Sequence, residues 1–230
     1  MENVARNLET VRARMEEAAL RAGRDPEGIR LLAVSKMQPV EALAEAWEAG
    51  QRDFGENYLQ EALPKLDALA DRAAHWHFIG ALQSNKTREV AERFDWVHTV
   101  DRESIAKRLS DQRPAELTPL HICLQVNVSG EGSKGGVAPE RLPALAEAVA
   151  ALPRLRLRGL MAIPAPTKDS EARRAPFRQL RELMETLNGQ GHSLDTLSMG
   201  MSDDLEAAII EGATLVRIGT AVFGARPKTA

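Results

Sequence analysis

Leu31-Leu-Ala-Val-Ser-Lys-Met-Gln-Pro39 is the stretch from which the rest of the chain can be read. Four apolar residues lead into Lys36, and a proline stops the run. This is the pattern of a short buried strand that delivers one amine to the point where it ends. Two readings of Lys36 stand at this stage. Its head can simply reach water, or it can be a working amine, because a lysine is rarely fully buried unless it is paired or used. Burial favours the neutral amine, and a neutral amine attacks carbonyls to form Schiff bases.

Working outward, the same unit recurs: a short apolar run, a polar turn, a helical pattern, another turn. The spacing predicts strands over residues 31–36, 53–57, 76–80, 96–100, 121–128, 157–163, 197–201 and 214–219. It predicts helices over 40–49, 58–71, 85–93, 102–109, 139–151, 177–187 and 204–211, with Asp101 capping the fourth and Ser202 or Asp203 the last. Ahead of them, Val4, Leu8, Val11, Met15, Ala18 and Ala19 form the stripe of an amphipathic helix over 3–22, which Gly23 ends. Strict alternation argues for a parallel sheet, since each parallel crossover needs a helix. Eight such units predict a closed (β/α)8 barrel of the TIM type with an extra N-terminal helix. An open doubly wound sheet is the competing arrangement, but it requires no particular count of eight. With no low-complexity segment or linker, residues 1–230 read as a single domain.

The composition excludes more than it selects. Of the 230 residues, 43% are hydrophobic and 27% charged, as in an ordinary globular protein. A formal net charge of -3 gives no electrostatic footprint for nucleic acid. No run has the length of a membrane span, and Glu2, Glu9, Glu16 and Glu17 do not belong in a signal peptide. A soluble, cytoplasmic protein is expected, with a monomer as the default state. Cys123 is the one cysteine, so neither an intrachain disulfide nor a cysteine metal cluster is available. His75, His77, His98, His121 and His192 show no metal-ligand spacing and read as structural.

In such barrels the active site lies at the C-terminal ends of the strands. Those ends carry Lys36, then Gly55, Glu56 and Asn57, then His77 and Gly80, then Asn127 and Ser129, then Met161. The last two strands add Ser198, Gly200 and Ser202, and Arg217, Gly219 and Thr220. The segment Ser198-Met-Gly-Met-Ser202 runs into a helix start, and Arg217-Ile-Gly-Thr220 adds a close-approach glycine and a hydroxyl. Together they suggest an anion site after strands seven and eight, with plain capping and turn formation as the alternative. Alternation puts Leu215 and Arg217 on one face of the eighth strand, and Val216 and Ile218 on the other. Arg217 is then either a permanent donor at the barrel mouth or the partner of Glu206 or Glu211 in a surface ion pair. The glycine-rich segment 130–136 lacks the Gly-Lys-Ser/Thr ending of a P-loop. It reads as a surface loop carrying Lys134 to the same end as Lys36. Residues 164–176, rich in proline and charge, are a lid or a solvated connection.

Taken together, Ala33-Val-Ser-Lys36, Phe54-Gly-Glu-Asn57, His77-Phe-Ile-Gly80 with Gln83-Ser-Asn-Lys86, Arg158-Gly-Leu-Met161, Ser198-Met-Gly-Met-Ser-Asp203 and Val216-Arg-Ile-Gly-Thr220 resemble the pyridoxal phosphate homeostasis protein family. These are single-domain relatives of the alanine racemase barrel, and the resemblance covers residues 3–227. It implies that Lys36 holds pyridoxal 5'-phosphate as an aldimine, that Ser202, Gly219 and Thr220 bind its phosphate, and that Arg217 faces the pyridine nitrogen. It further implies that Asn57, His77, Met161 and Ser198 line the ring, and that Lys134 serves cofactor exchange.

The implied function is to hold the cofactor and buffer it or deliver it to apo-enzymes, in vitamin B6 and amino-acid homeostasis, without robust catalysis. The chemistry of Arg217 agrees, because a cation at the ring nitrogen leaves the ring a weak electron sink. A racemase also needs two proton-transfer groups on opposite faces. In the related racemases one comes from a C-terminal domain, which is not expected here, and Tyr58 is poorly placed to replace it. A racemase of low activity remains the alternative function, and a cofactor-free lysine aldolase a third.

Overall fold

The computed structural model describes residues 3–130 and 135–225. Eight parallel strands alternate with helices and close on themselves in sequence order. The chain enters through helix α1 (Val4–Arg21), and strand β1 (Arg30–Val34) follows a single 3-10 turn. The next units are α2 (Val40–Glu48), β2 (Asp53–Glu56), α3 (Leu59–Ala68), β3 (His75–Phe78), α4 (Thr87–Arg93), β4 (Trp96–Val100) and α5 (Glu103–Gln112). Then come β5 (Leu120–Gln125), α6 (Leu142–Ala150), β6 (Leu155–Met161), α7 (Ser170–Gly189), β7 (Thr196–Ser198), α8 (Leu205–Ile210), β8 (Leu215–Ile218) and α9 (Thr220–Phe223). Pairing of Leu31 with Val216 and of Ala33 with Ile218 closes the barrel. The open doubly wound alternative is excluded by that closure.

Alternate residues of the same strands serve two environments, as the pleat requires. The outward set packs against the helices in one continuous core that includes Ala33, Phe54, Trp76, Val97, Leu124, Leu197 and Val216. The inward set forms only small apolar clusters, Leu32 with Ile79 and Leu215, and Trp96 with Cys123 and Met161. Polar side chains fill much of the rest. Arg217 points inward with Leu215, as the alternation predicts, and Val216 and Ile218 join the outer core. At the N-terminal mouth Trp96 stacks on His77 and His121, with the guanidinium groups of Arg30 and Arg158 each 5.0 Å from its ring centre.

Several expectations need correction. Helix α7 starts at Ser170, not 177, so most of the supposed lid is helix with Pro176 inside it. Its charged first turns hid the apolar period, yet the Asp169 side chain caps it through Ala172 N–H at 2.7 Å, and Arg174 pairs with buried Glu211. Asp101 does not cap α5. The N-cap there is Arg102, and Asp101 accepts from its guanidinium instead. The N-cap of α8 is Asp204, one residue beyond the expected ones, and it makes no side-chain cap bond. After β8 the chain forms α9, a single helical turn, where only a tail was expected. Among the described residues no helix is long and apolar enough to cross a membrane.

Candidate functional site

A cavity of about 560 Å³ opens at the C-terminal ends of the strands. Lys36, Asn57, Ser202, Arg217, Gly219 and Thr220 all line it, together with Val34, Ile79, Ile163 and Met201. Six of the ten residues singled out from sequence therefore meet in one place. The apolar remainder is typical of a small-molecule site with a few convergent polar groups.

Lys36 lies just past β1, and the backbone on both sides of it is pinned. Before it, Ser35 N–H donates to Gly55 O at 2.9 Å and Ser35 Oγ to Glu56 Oε1 at 2.6 Å. Buried Lys65 donates to both Ser35 O and Glu56 Oε1, each at 2.8 Å. After it, Met37 adopts φ of 59°, a left-handed conformation that costs free energy outside glycine. The Glu61 carboxylate accepts from Met37 N–H at 3.0 Å and holds that turn. Burial raises the Glu56 carboxyl above its ordinary range, and Lys65 opposes the shift. Lys65 and Glu61 were missed from sequence, because on a helix they look like ordinary solvated charges.

On the opposite wall, Arg217 is fully enclosed yet reaches the cavity. Its Nη1 donates to Ser198 O at 2.5 Å and to Ser198 Oγ at 2.8 Å, and its Nη2 to Ala162 O at 2.9 Å. Burial lowers it to about 10, which leaves it charged at neutral pH. The surface ion pair considered for it is not formed. Glu206 binds Arg14, and Glu211 is held by Arg174, Arg178 and Arg181.

Ser202 precedes α8, and Gly219 and Thr220 open α9. The first amides of a helix have no partner within it, and Thr220 and Ala221, the first residues of α9, line the cavity. A Cβ on Gly219 would come within 3.3 Å of Val34 O, a tight contact that a larger residue would have to relieve by a small shift of that strand end. Asn57 follows β2, and its Oδ1 is buried without a hydrogen-bond partner. Gly80 lets the ends of β2 and β3 close up there, since a Cβ would overlap the Asn57 carbonyl.

His77, Met161 and Ser198 are not on the cavity wall. All three are fully buried inside the barrel beneath it. Met161 packs with Trp96 and Cys123, whereas His77 and Ser198 belong to a hydrogen-bonded series considered below. Lys134 lies outside the described residues. Sequence reasoning also missed Gln38, Ile163 and Asp203 as lining residues, although Gln38 lies in the opening stretch and Asp203, read only as a helix cap, ends the Ser198–Asp203 motif. Among the described residues no group of three or more His, Cys, Asp or Glu side chains is arranged to hold a metal ion.

Comparison with known proteins agrees over nearly the whole chain. The family profile described as alanine racemase, N-terminal domain, matches residues 1–227. The pyridoxal phosphate homeostasis protein of Pseudomonas aeruginosa is 66% identical over 226 residues, covering 98% of this chain and 97% of the relative. That of Escherichia coli is 56% identical over 229 residues, with 98% of each covered. Among solved structures, PipY of Synechococcus elongatus with PLP bound superposes with a TM-score of 0.83 at 38% identity, over 96% of this chain and 100% of that one. A barrel with this lysine, this arginine and this degree of identity leaves one assignment: the chain belongs to the pyridoxal phosphate homeostasis protein family, built on the alanine racemase N-terminal domain.

Proposed function

We propose that the chain is a single pyridoxal-phosphate-binding domain that holds the cofactor at the C-terminal mouth of the barrel and buffers it or hands it to apo-enzymes. The observation that carries this reading is the convergence of Lys36, Arg217, Asn57 and the Ser202, Gly219 and Thr220 wall on one cavity. Lys36 supplies the amine that joins the cofactor's aldehyde carbon, with loss of one water, to give a Schiff base. Arg217, already fixed by three hydrogen bonds, presents a cation to the ring nitrogen. The Thr220 and Ala221 amides and the Ser202 and Thr220 hydroxyls receive the phosphate. The unpartnered Asn57 Oδ1 accepts from a ligand donor, which removes a cost of about 1–3 kcal/mol for a buried orphan acceptor. Lys134 is proposed to assist exchange at the mouth.

When bound, the cofactor supplies an electron sink, and a cation in place of a carboxylate at its nitrogen keeps that sink weak. Among the described lining residues the ionisable side chains are Lys36, Asp203 and Arg217. Tyr58 is more than half exposed and does not line the cavity. A pair of proton-transfer groups on opposite faces is therefore not evident, which favours carriage over racemisation.

The test is transfer. Loaded protein is mixed with the apo form of a pyridoxal-phosphate enzyme, and recovery of that enzyme's activity is followed against Lys36→Ala. Recovery with the wild-type protein alone supports delivery. Exchange of the Cα proton of any amino acid with solvent at many turnovers per hour, without transfer, would replace this reading with the racemase.

A further inference from the structure

Inside the barrel, four hydrogen bonds run in series from the cavity to the opposite mouth. Arg217 Nη1 lies 2.8 Å from Ser198 Oγ, which lies 2.8 Å from His98 Nδ1. His98 Nε2 lies 2.9 Å from His77 Nδ1, and His77 Nε2 lies 2.9 Å from Asp53 Oδ1. The series joins β8, β7, β4, β3 and β2, and His77, His98 and Ser198 are wholly buried.

One end can only donate and the other, an ionised carboxylate, can only accept. Between them stand three groups that each accept one bond and donate one. A neutral series therefore has one consistent proton arrangement. His77 donates from Nε2 to Asp53, so its Nδ1 accepts from His98 Nε2–H. His98 Nδ1 then accepts the Ser198 hydroxyl proton, and Ser198 Oγ accepts from Arg217. Arg217 alone does not fix that direction, since the Ser198 oxygen has two lone pairs and can accept from Arg217 and from a His98 Nδ1–H together, so Asp53 is the end that decides.

The surroundings keep the rings neutral. Burial lowers both imidazoles, His98 strongly, while hydrogen bonding to His77 holds the Asp53 carboxyl below its ordinary range against burial. His77 faces Asp53 on β2 and His98 on β4, with Arg30 of β1 and Asp95 as the other charges felt there. His98 faces His77 on β3, Ser198 on β7 and Arg217 on β8, with Arg30 also acting on it. A proton added at His77 would have to reverse the upper links and turn the Ser198 hydroxyl out of its place.

We propose that Asp53, His77, His98 and Ser198 form a one-directional relay of positioning residues. Asp53 sets its polarity from the N-terminal mouth, and that polarity holds the Ser198 hydroxyl proton toward His98 and away from Arg217, so that Ser198 Oγ clamps Arg217 in the cavity floor. The relay itself stands on the barrel geometry. Its effect on the ligand rests on the cofactor reading above.

The experiment uses protein labelled with ¹⁵N-histidine and free of cofactor, with His77 and His98 assigned through His77→Gln and His98→Gln. Long-range ¹H–¹⁵N spectra then give the tautomer of each ring. In the wild type both rings are expected neutral, with the proton on Nε2. Ser198→Ala should keep those tautomers, because Asp53 still anchors the series. Asp53→Asn, which can donate as well as accept, should give mixtures or the Nδ1–H forms. Wild-type rings with the proton on Nδ1, or Asp53→Asn rings identical to wild type, would overturn the relay. If Asp53→Asn does not fold, the wild-type tautomers decide.

A second readout is pyridoxal 5'-phosphate affinity by visible absorbance. Asp53→Asn should weaken it about fivefold, the size of one hydrogen bond's net contribution, although Asp53 does not line the cavity. Altered tautomers with unchanged affinity would overturn the clamp. A wild-type protein that takes up no cofactor would overturn the proposed function and leave the relay to the spectra.

Discussion

The outward and inward faces of the same eight strands are built on opposite principles. Outside, Phe54, Trp76, Leu124 and Leu197 join the helices in a continuous apolar core. Inside, Asp53, His77, His98, Ser198 and Arg217 replace much of that apolar filling with a polar series. Burying polar groups repays little net free energy even when every bond is made, whereas apolar burial contributes roughly 25 cal/mol per Å². Residues only one position apart in sequence thus divide the work. The outer face holds the barrel shut, and the inner face holds Arg217 and a cavity in a fixed arrangement.

Four changes would sharpen or break that division, and the first should be the largest. Phe54→Ala in the outer shell should cost about 3–5 kcal/mol in urea unfolding, the range for truncating a buried phenylalanine. The fraction that stays folded should still take up the cofactor. Weak destabilisation with lost uptake would contradict the division.

Lys65→Met comes next. Glu56 sits fully buried against Lys65, and removing one partner of such a pair costs about 3 kcal/mol or more. Because Lys65 also holds Ser35 O, uptake should fall as well, unlike in Phe54→Ala. Stability lost with uptake unchanged would detach this pair from the positioning of Lys36.

The inner face should also make the protein acid-sensitive. His77, His98 and His121 all have lowered values, His121 to about 4, chiefly through burial. Below about pH 6.5 the unfolded chain binds protons that the native rings refuse, so stability falls as pH falls. By pH 5 each fully buried ring should cost up to about 2 kcal/mol, read as a lower urea midpoint. His98→Gln should flatten that slope. An unchanged slope would mean that His98 is already protonated in the native barrel.

Asp169→Ala is the smallest. Loss of the cap on α7 should cost about 1 kcal/mol and leave uptake untouched, since Asp169 caps a helix outside the barrel. No loss would mean that the cap bond to Ala172 contributes nothing.

The barrel was legible because parallel strands covered on both sides read as short apolar runs, each closed by a turn residue. Residues 31–34, Leu-Leu-Ala-Val, show this directly. The start of α7 was not, since Glu171, Arg173, Arg174 and Pro176 carry no apolar period. Half of the site could be read from where strands end, as with Lys36, Asn57 and Arg217. The relay could not. Its members are separated by 24, 21, 100 and 19 residues along the chain, and each histidine alone looks like an ordinary structural residue. Only closure of the barrel makes them neighbours.

The central claim is that the Lys36 amine anchors pyridoxal 5'-phosphate in this cavity. Its most direct test is the visible spectrum of the protein incubated with the cofactor, followed by borohydride reduction and peptide mapping. The account predicts a yellow protein whose colour bleaches, with the phosphopyridoxyl label on Lys36 and none in Lys36→Ala. A protein that stays colourless, or a label found on another lysine, would contradict it.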